Sequence, residues 1–154
     1  MRLAKCRRTG FTLVELVVVI LLLSILSVYA ASRYSGASGF SAYAAQQQAI
    51  TVIRQIQLSR MQSNVSTVSS NYQLSVSDSC LGSVASCATT EARSNRLELP
   101  DNIRFSQTMT VGFDLLGNPA CLSTACPTDY KIEIVSSADT LAVCINNQGY
   151  VYGC

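Results

Sequence analysis

The chain has 154 residues, room for one long helix and one small globular domain. It contains no histidine and no tryptophan, which excludes histidine-dependent acid–base chemistry and His-liganded metal sites. Its formal charge is +2, but four of the eleven basic residues lie in residues 1–10; the remainder carries seven against nine acidic residues, a formal −2 that offers no general basic surface to nucleic acid.

Arg2, Lys5, Arg7 and Arg8 precede an apolar run over 11–31 that holds one charged side chain, Glu15, and neither proline nor glycine. A helix of about 20 residues crosses a bilayer core of about 30 Å, so the run is a spanning-helix candidate. The basic cluster stays cytoplasmic and sends the C-terminal part across. Glu15 is the anomaly, because a carboxylate in lipid needs a partner or must neutralise, and 11–31 holds no basic residue to pair with it. A cut after Gly10 would create an α-amine at Phe11. An amine and a carboxylate about 4 Å apart attract by about 4 kcal/mol at an effective dielectric of about 20, before desolvation.

The stretch Arg8-Thr9-Gly10-Phe11-Thr12-Leu13-Val14-Glu15 resembles the class III signal of type IV prepilins and type II secretion pseudopilins. The resemblance implies cleavage after Gly10 by a prepilin peptidase/methyltransferase, N-methylation of Phe11, and a role for Glu15 in docking the subunit into a filament. Its implied partners are other pilin subunits and, before assembly, the inner membrane. An ordinary secretory signal would need a small-residue cut site after the apolar run, which Tyr29-Ala30-Ala31-Ser32 imitates only weakly.

Segment 32–41 contains Gly36 and Gly39, each of which weakens a helix by about 1 kcal/mol relative to alanine. The expectation is a helix that continues but is soft there, a hinge between the apolar half and an amphipathic continuation over 32–64. In that continuation Ala45, Ala49, Val52, Ile53 and Ile56 fall on one face, with Gln48, Arg54 and Gln55 on others. The stripe needs a cover, and the sheet that follows is the expected one.

After Met61 the chain turns to Ser, Thr and Asn, and residues 65–154 read as a globular β domain. Strand-like runs occupy 72–76, 96–99, 103–105, 108–113, 130–135, 141–145 and 150–152. Lys131-Ile132-Glu133-Ile134 alternates as a half-buried strand does, whereas 140–145 is continuously apolar and reads as central. Asn146-Asn147-Gln148-Gly149 is a hairpin turn. Segments 77–93 and 116–128 read as loops.

Cys6 lies in the leader, and Cys80, Cys87, Cys121, Cys126, Cys144 and Cys154 remain, an even six in an exported domain. Of the 15 possible pairings we favour the local set, Cys80–Cys87, Cys121–Cys126 and Cys144–Cys154. Each short closure removes about 2–3 kcal/mol of unfolded-chain entropy. Metal-ligand spacing of the CxxC type is absent, so no metal and no cofactor are expected.

A second resemblance lies in the tail. Leu99-Pro100-Asp101-Asn102-Ile103-Arg104-Phe105, then Val111-Gly112-Phe113-Asp114-Leu115-Leu116-Gly117-Asn118-Pro119, then Val143-Cys144-Ile145 with Gly149-Tyr150-Val151-Tyr152-Gly153, look like the C-terminal domain of H-type minor pseudopilins. Over most of its length the chain is similar to minor pilins of the mannose-sensitive haemagglutinin type. The implied fold is α+β, a long N-terminal spine helix packed on a C-terminal antiparallel sheet or β-sandwich. The implied function is a minor structural subunit of a type IV pilus in surface attachment, with a type II secretion pseudopilin or a DNA-uptake pilin as the alternative. The implied location is the inner membrane, single pass with a periplasmic domain, and then the pilus.

No enzyme is expected. Serines abound without a base to activate them, and Asp101, Asp114, Asp129 and Asp139 are scattered at turns. Arg93, Arg96, Arg104 and Lys131 are the candidates for a basic face, read here as a solvated surface rather than a nucleic-acid site.

Overall fold

The computed structural model describes residues 11–34, 37–91, 93–100, 102–120, 127–137 and 139–154. Gly10, Gly36, Asp101, Cys121 and Cys126 lie outside the described residues. The chain forms two compact units, Met1–Ala37 and Ser38–Cys154. The fold is α+β: an N-terminal apolar helix, then a domain of antiparallel sheets.

The first helix, α1, runs Leu13–Tyr34. It starts where the Thr12 hydroxyl accepts a bond from the Glu15 N–H at 3.2 Å, which satisfies one of the donors a helix start leaves free. Val17, Val18, Val19 and Ile20 are stiff at χ1 and poor helix formers in water, but in lipid the backbone must bond to itself and the helix is the local way to do so. Ser24 and Ser27 donate their hydroxyls to the carbonyls of Ile20 and Leu23 at 2.6 Å each, so neither leaves a free polar group among the apolar ones.

The second helix, α2, runs Ala37–Met61 and includes Gly39. Ala42, Ala45, Ala49, Val52, Ile53 and Ile56 form its buried stripe. After Met61 the chain leaves the helix, and Ser63 donates both its N–H and its hydroxyl to the Arg60 carbonyl.

Two antiparallel sheets complete the domain. The five-stranded sheet has the order β3 (Arg96–Glu98), β2 (Cys80–Ser83), β1 (Leu74–Val76), β5 (Met109–Phe113), β6 (Pro119–Ala120). The four-stranded sheet has the order β4 (Ile103–Phe105), β7 (Asp129–Ser136), β8 (Thr140–Asn146), β9 (Val151–Gly153). One core joins them to α2: Ile53 and Ile56 from the helix, Leu74, Leu81 and Phe113 from the first sheet, Phe105, Ile132, Ile134, Val143 and Ile145 from the second. Along β7, Ile132 and Ile134 enter this core while Lys131 and Glu133 pair outside at 2.9 Å. The central position of β8 explains its continuous apolar run, since Ala142, Val143, Cys144 and Ile145 are all buried.

Two of the expected loops contain regular structure. Segment 77–93 holds β2 and the helical turn α3 (Val84–Cys87), capped by the Ser83 hydroxyl, and segment 116–128 holds β6. Cys80-Leu81-Gly82-Ser83 falls inside the expected loop 77–93. In the structure Gly82 permits close approach: a Cβ there would lie 2.6 Å from the Asn95 carbonyl oxygen and 2.9 Å from the Arg96 Cα.

Polar side chains grip the domain from α2. Gln46 Nε2 donates to the Ala142 carbonyl at 2.7 Å and Arg54 Nη2 to that of Val151 at 2.8 Å. Gln57 Nε2 bridges the carbonyls of Gly117 and Gly149 at 2.9 and 2.8 Å, and Arg60 Nε reaches that of Phe113 at 3.1 Å. Gln46, Gln57 and Arg60 are buried, so the packed face of α2 is broader and more polar than its apolar stripe alone.

Candidate functional site

The candidate site begins at Phe11, which precedes α1, and continues into the first helical turn, which carries Glu15. The large apolar side chains from Phe11 to Tyr29 are all exposed, from 42 % at Val17 to 82 % at Phe11. Leu13–Ala30 is long and apolar enough to cross a membrane. Thr12 enters the site as the residue that sets where the helix starts, a role absent from the sequence reading. The spacing Thr12-x-x-Glu15 is the signal that reveals it, a capping residue followed three positions later by a glutamate. The carboxylate is thereby held at the positive end of the helix, where the aligned peptide dipoles favour negative charge.

In the second unit the structure joins Cys80 to Cys87 and Cys144 to Cys154, with Cα separations of 6.1 and 5.9 Å. The first bridge ties β2 to the end of α3; the second ties β8 to the last residue beyond β9. The Cys121–Cys126 pairing and the Gly36 half of the hinge fall outside the described residues, and Gly39 lies within α2.

The basic candidates are mostly paired. Arg93 lies 3.6 Å from Glu91, Arg96 lies 2.8 Å from Glu98, and Lys131 pairs with Glu133. Of the four, Arg104 alone has no carboxylate partner among the described residues. The lysine, with the Ser106 hydroxyl, holds the Glu133 carboxyl below its ordinary pKa. Burial pushes the Asp114 carboxyl up, but bonds from the Asn118 side chain and the backbone N–H groups of Asn118, Leu116 and Gly117 outweigh it and leave its pKa lowered. Asp114 is thus committed to its own turn. Among the described residues no group of His, Cys, Asp and Glu is placed to hold a metal ion.

Residues 5–31 match the model of the prokaryotic N-terminal methylation motif. The match overlaps α1 and includes Phe11 and Glu15, and it supports a type IV pilin-like or pseudopilin chain. No curated protein and no solved structure matches the chain.

Proposed function

We propose that this chain is a structural minor subunit of a type IV pilus. In this reading residues 1–10 are a leader removed after Gly10, Phe11 becomes the N-methylated terminus, and 11–31 holds the subunit in the inner membrane with the domain in the periplasm. Residues 32–64 continue the spine, with Gly36 and Gly39 as its soft point, and 65–154 form a domain whose third staple is Cys121–Cys126. One observation carries the reading: the methylation-motif stretch overlaps a helix whose large apolar side chains up to Tyr29 are exposed and whose first turn holds a carboxylate.

Lipid and a bundle of like helices are similarly apolar, so exchange between them costs little in hydrophobic terms. Close packing and the pair formed by the Phe11 amine and Glu15 then favour the bundle. A secretion pseudopilin is the second reading, favoured by the tail stretches from Leu99 and Val111 that resemble H-type minor pseudopilins. Mass spectrometry of the cell-derived protein tests the shared core: the expected N-terminal peptide begins with methyl-phenylalanine at position 11. Protein that retains Met1 or Arg2 rules out both readings.

A further inference from the structure

Three large apolar side chains of the domain stay out of its core and meet around one shallow depression of about 330 Å³. Leu58 and Met61 come from α2 and are 53 % and 48 % exposed; Leu116 comes from the turn after β5 and is 76 % exposed. Arg54, Gln57 and Gln148 also line the depression, and no acid does. The turn that presents Leu116 is held firmly. The Asp114 carboxylate accepts the N–H groups of Leu116 and Asn118 at 2.9 and 2.8 Å, and Gln57 Nε2 donates to the Gly117 carbonyl at 2.9 Å. The fold gains nothing by fixing a leucine in water, whereas a contact whose parts are already in place costs less entropy to form.

Arg54 spends Nη2 on the Val151 carbonyl. Its Nε and Nη1 have no hydrogen-bond partner, and no carboxylate pairs with it, among the described residues. Arg54, Leu58 and Met61 are spaced four and then three residues apart, so they form one stripe on the exposed face of α2. The same spacing recurs in α1 with the opposite charge, at Glu15, Val19 and Leu22. Val19 and Leu22 are exposed, and Glu15 is the one charged side chain between residues 11 and 31. Laid side by side in parallel, the stripes of two subunits match: Arg54 meets Glu15, Leu58 meets Val19 and Met61 meets Leu22. The antiparallel arrangement would set Arg54 against Leu22 and Glu15 against Met61, so charge selects the direction.

We propose that this depression docks the apolar stem helix of a neighbouring pilin-type subunit, with Leu116 as the fixed anchor and Arg54 on the carboxylate of the stem's first turn. In the pilus reading, on which this rests, α1 leaves lipid for a bundle of like helices. The domain then covers part of a neighbour's stem and gives its acid a side-chain cation beside the terminal amine.

The test places the photoreactive residue p-benzoylphenylalanine at position 116 of the full chain, irradiates whole cells and identifies the cross-linked peptides by mass spectrometry. The expected product joins position 116 to the apolar N-terminal helix of a second mature subunit. A chain that is processed and methylated at Phe11 but cross-links elsewhere, or not at all, overturns the proposal and leaves the pilus reading standing. A chain that still begins at Met1 removes both. Leu58→Gln combined with Leu116→Gln is expected to lower recovery in the assembled filament at least about tenfold relative to the parent, with an unchanged urea midpoint because both positions are exposed. Unchanged recovery of that variant also overturns the proposal.

Discussion

Gly149 and Gly117 show how much can depend on a missing side chain. Both have positive φ, 80° and 85°, and each sits in a turn of a different sheet. A Cβ on Gly149 would lie 2.3 Å from the Gly117 carbonyl oxygen and 3.2 Å from Gln57 Nε2. The contact is backbone against backbone, so no side-chain rotation relieves it. Gly149→Ala therefore has to separate the two turns, break the Gln57 bridge and hold alanine in the left-handed region. Together these cost about 2–4 kcal/mol, read as a fall in the urea midpoint. Asn147→Ala, exposed in the same turn, stays within about 0.5 kcal/mol of the parent. Asn-Asn-Gln-Gly is readable as a turn from sequence; that its glycine meets another, 32 residues away, is not, because no local pattern encodes the partner.

Among the elements, those with a local rhythm were the legible ones. The alternation at Lys131-Ile132-Glu133-Ile134 marked β7, and the Ala45-to-Ile56 stripe marked the apolar face of α2. The polar part of that face escaped. Gln46, Gln57 and Arg60 look solvent-facing in sequence, and their acceptors lie 96, 60 and 53 residues away. β2 was hidden inside the expected loop 77–93, where Gly82 has no side chain to extend a pattern and serves close packing in three dimensions. β9 is the most exposed to loss of a staple. It has three residues and is fastened by the β8 ladder, by Arg54 on the Val151 carbonyl, and by Cys144–Cys154 just past its end. Replacing both cysteines by serine is expected to cost about 2–3 kcal/mol. Amide exchange should accelerate at 151–154 and stay unchanged in β7; uniform acceleration across both strands would mean that the bridge stabilises the whole domain rather than this strand.

At the scale of the molecule, the two units bury very different things. The domain has a closed core, whereas α1 leaves its apolar surface to be covered by something else, lipid or neighbouring helices. The apolar run and its lone acid made this division visible in the sequence, while the capping role of Thr12 lay in a spacing that went unread. Glu15→Ala separates the two environments. Membrane insertion should be unchanged or improved, since a charge is removed from lipid, while recovery of the subunit in sheared surface filaments should fall at least about tenfold, the loss expected from a pair worth more than about 1.4 kcal/mol. Normal recovery would show that the carboxylate is not needed for assembly. The hold of α2 on its domain has a different consequence. Gln46, Arg54, Gln57 and Arg60 all fasten to main-chain oxygens, which every amino acid supplies, so these hydrogen bonds survive any change at 113, 142 and 151 that still fills the buried space there. Divergent heads can thus be carried on the same stem, as long as the four gripping side chains stay and each strand keeps its path.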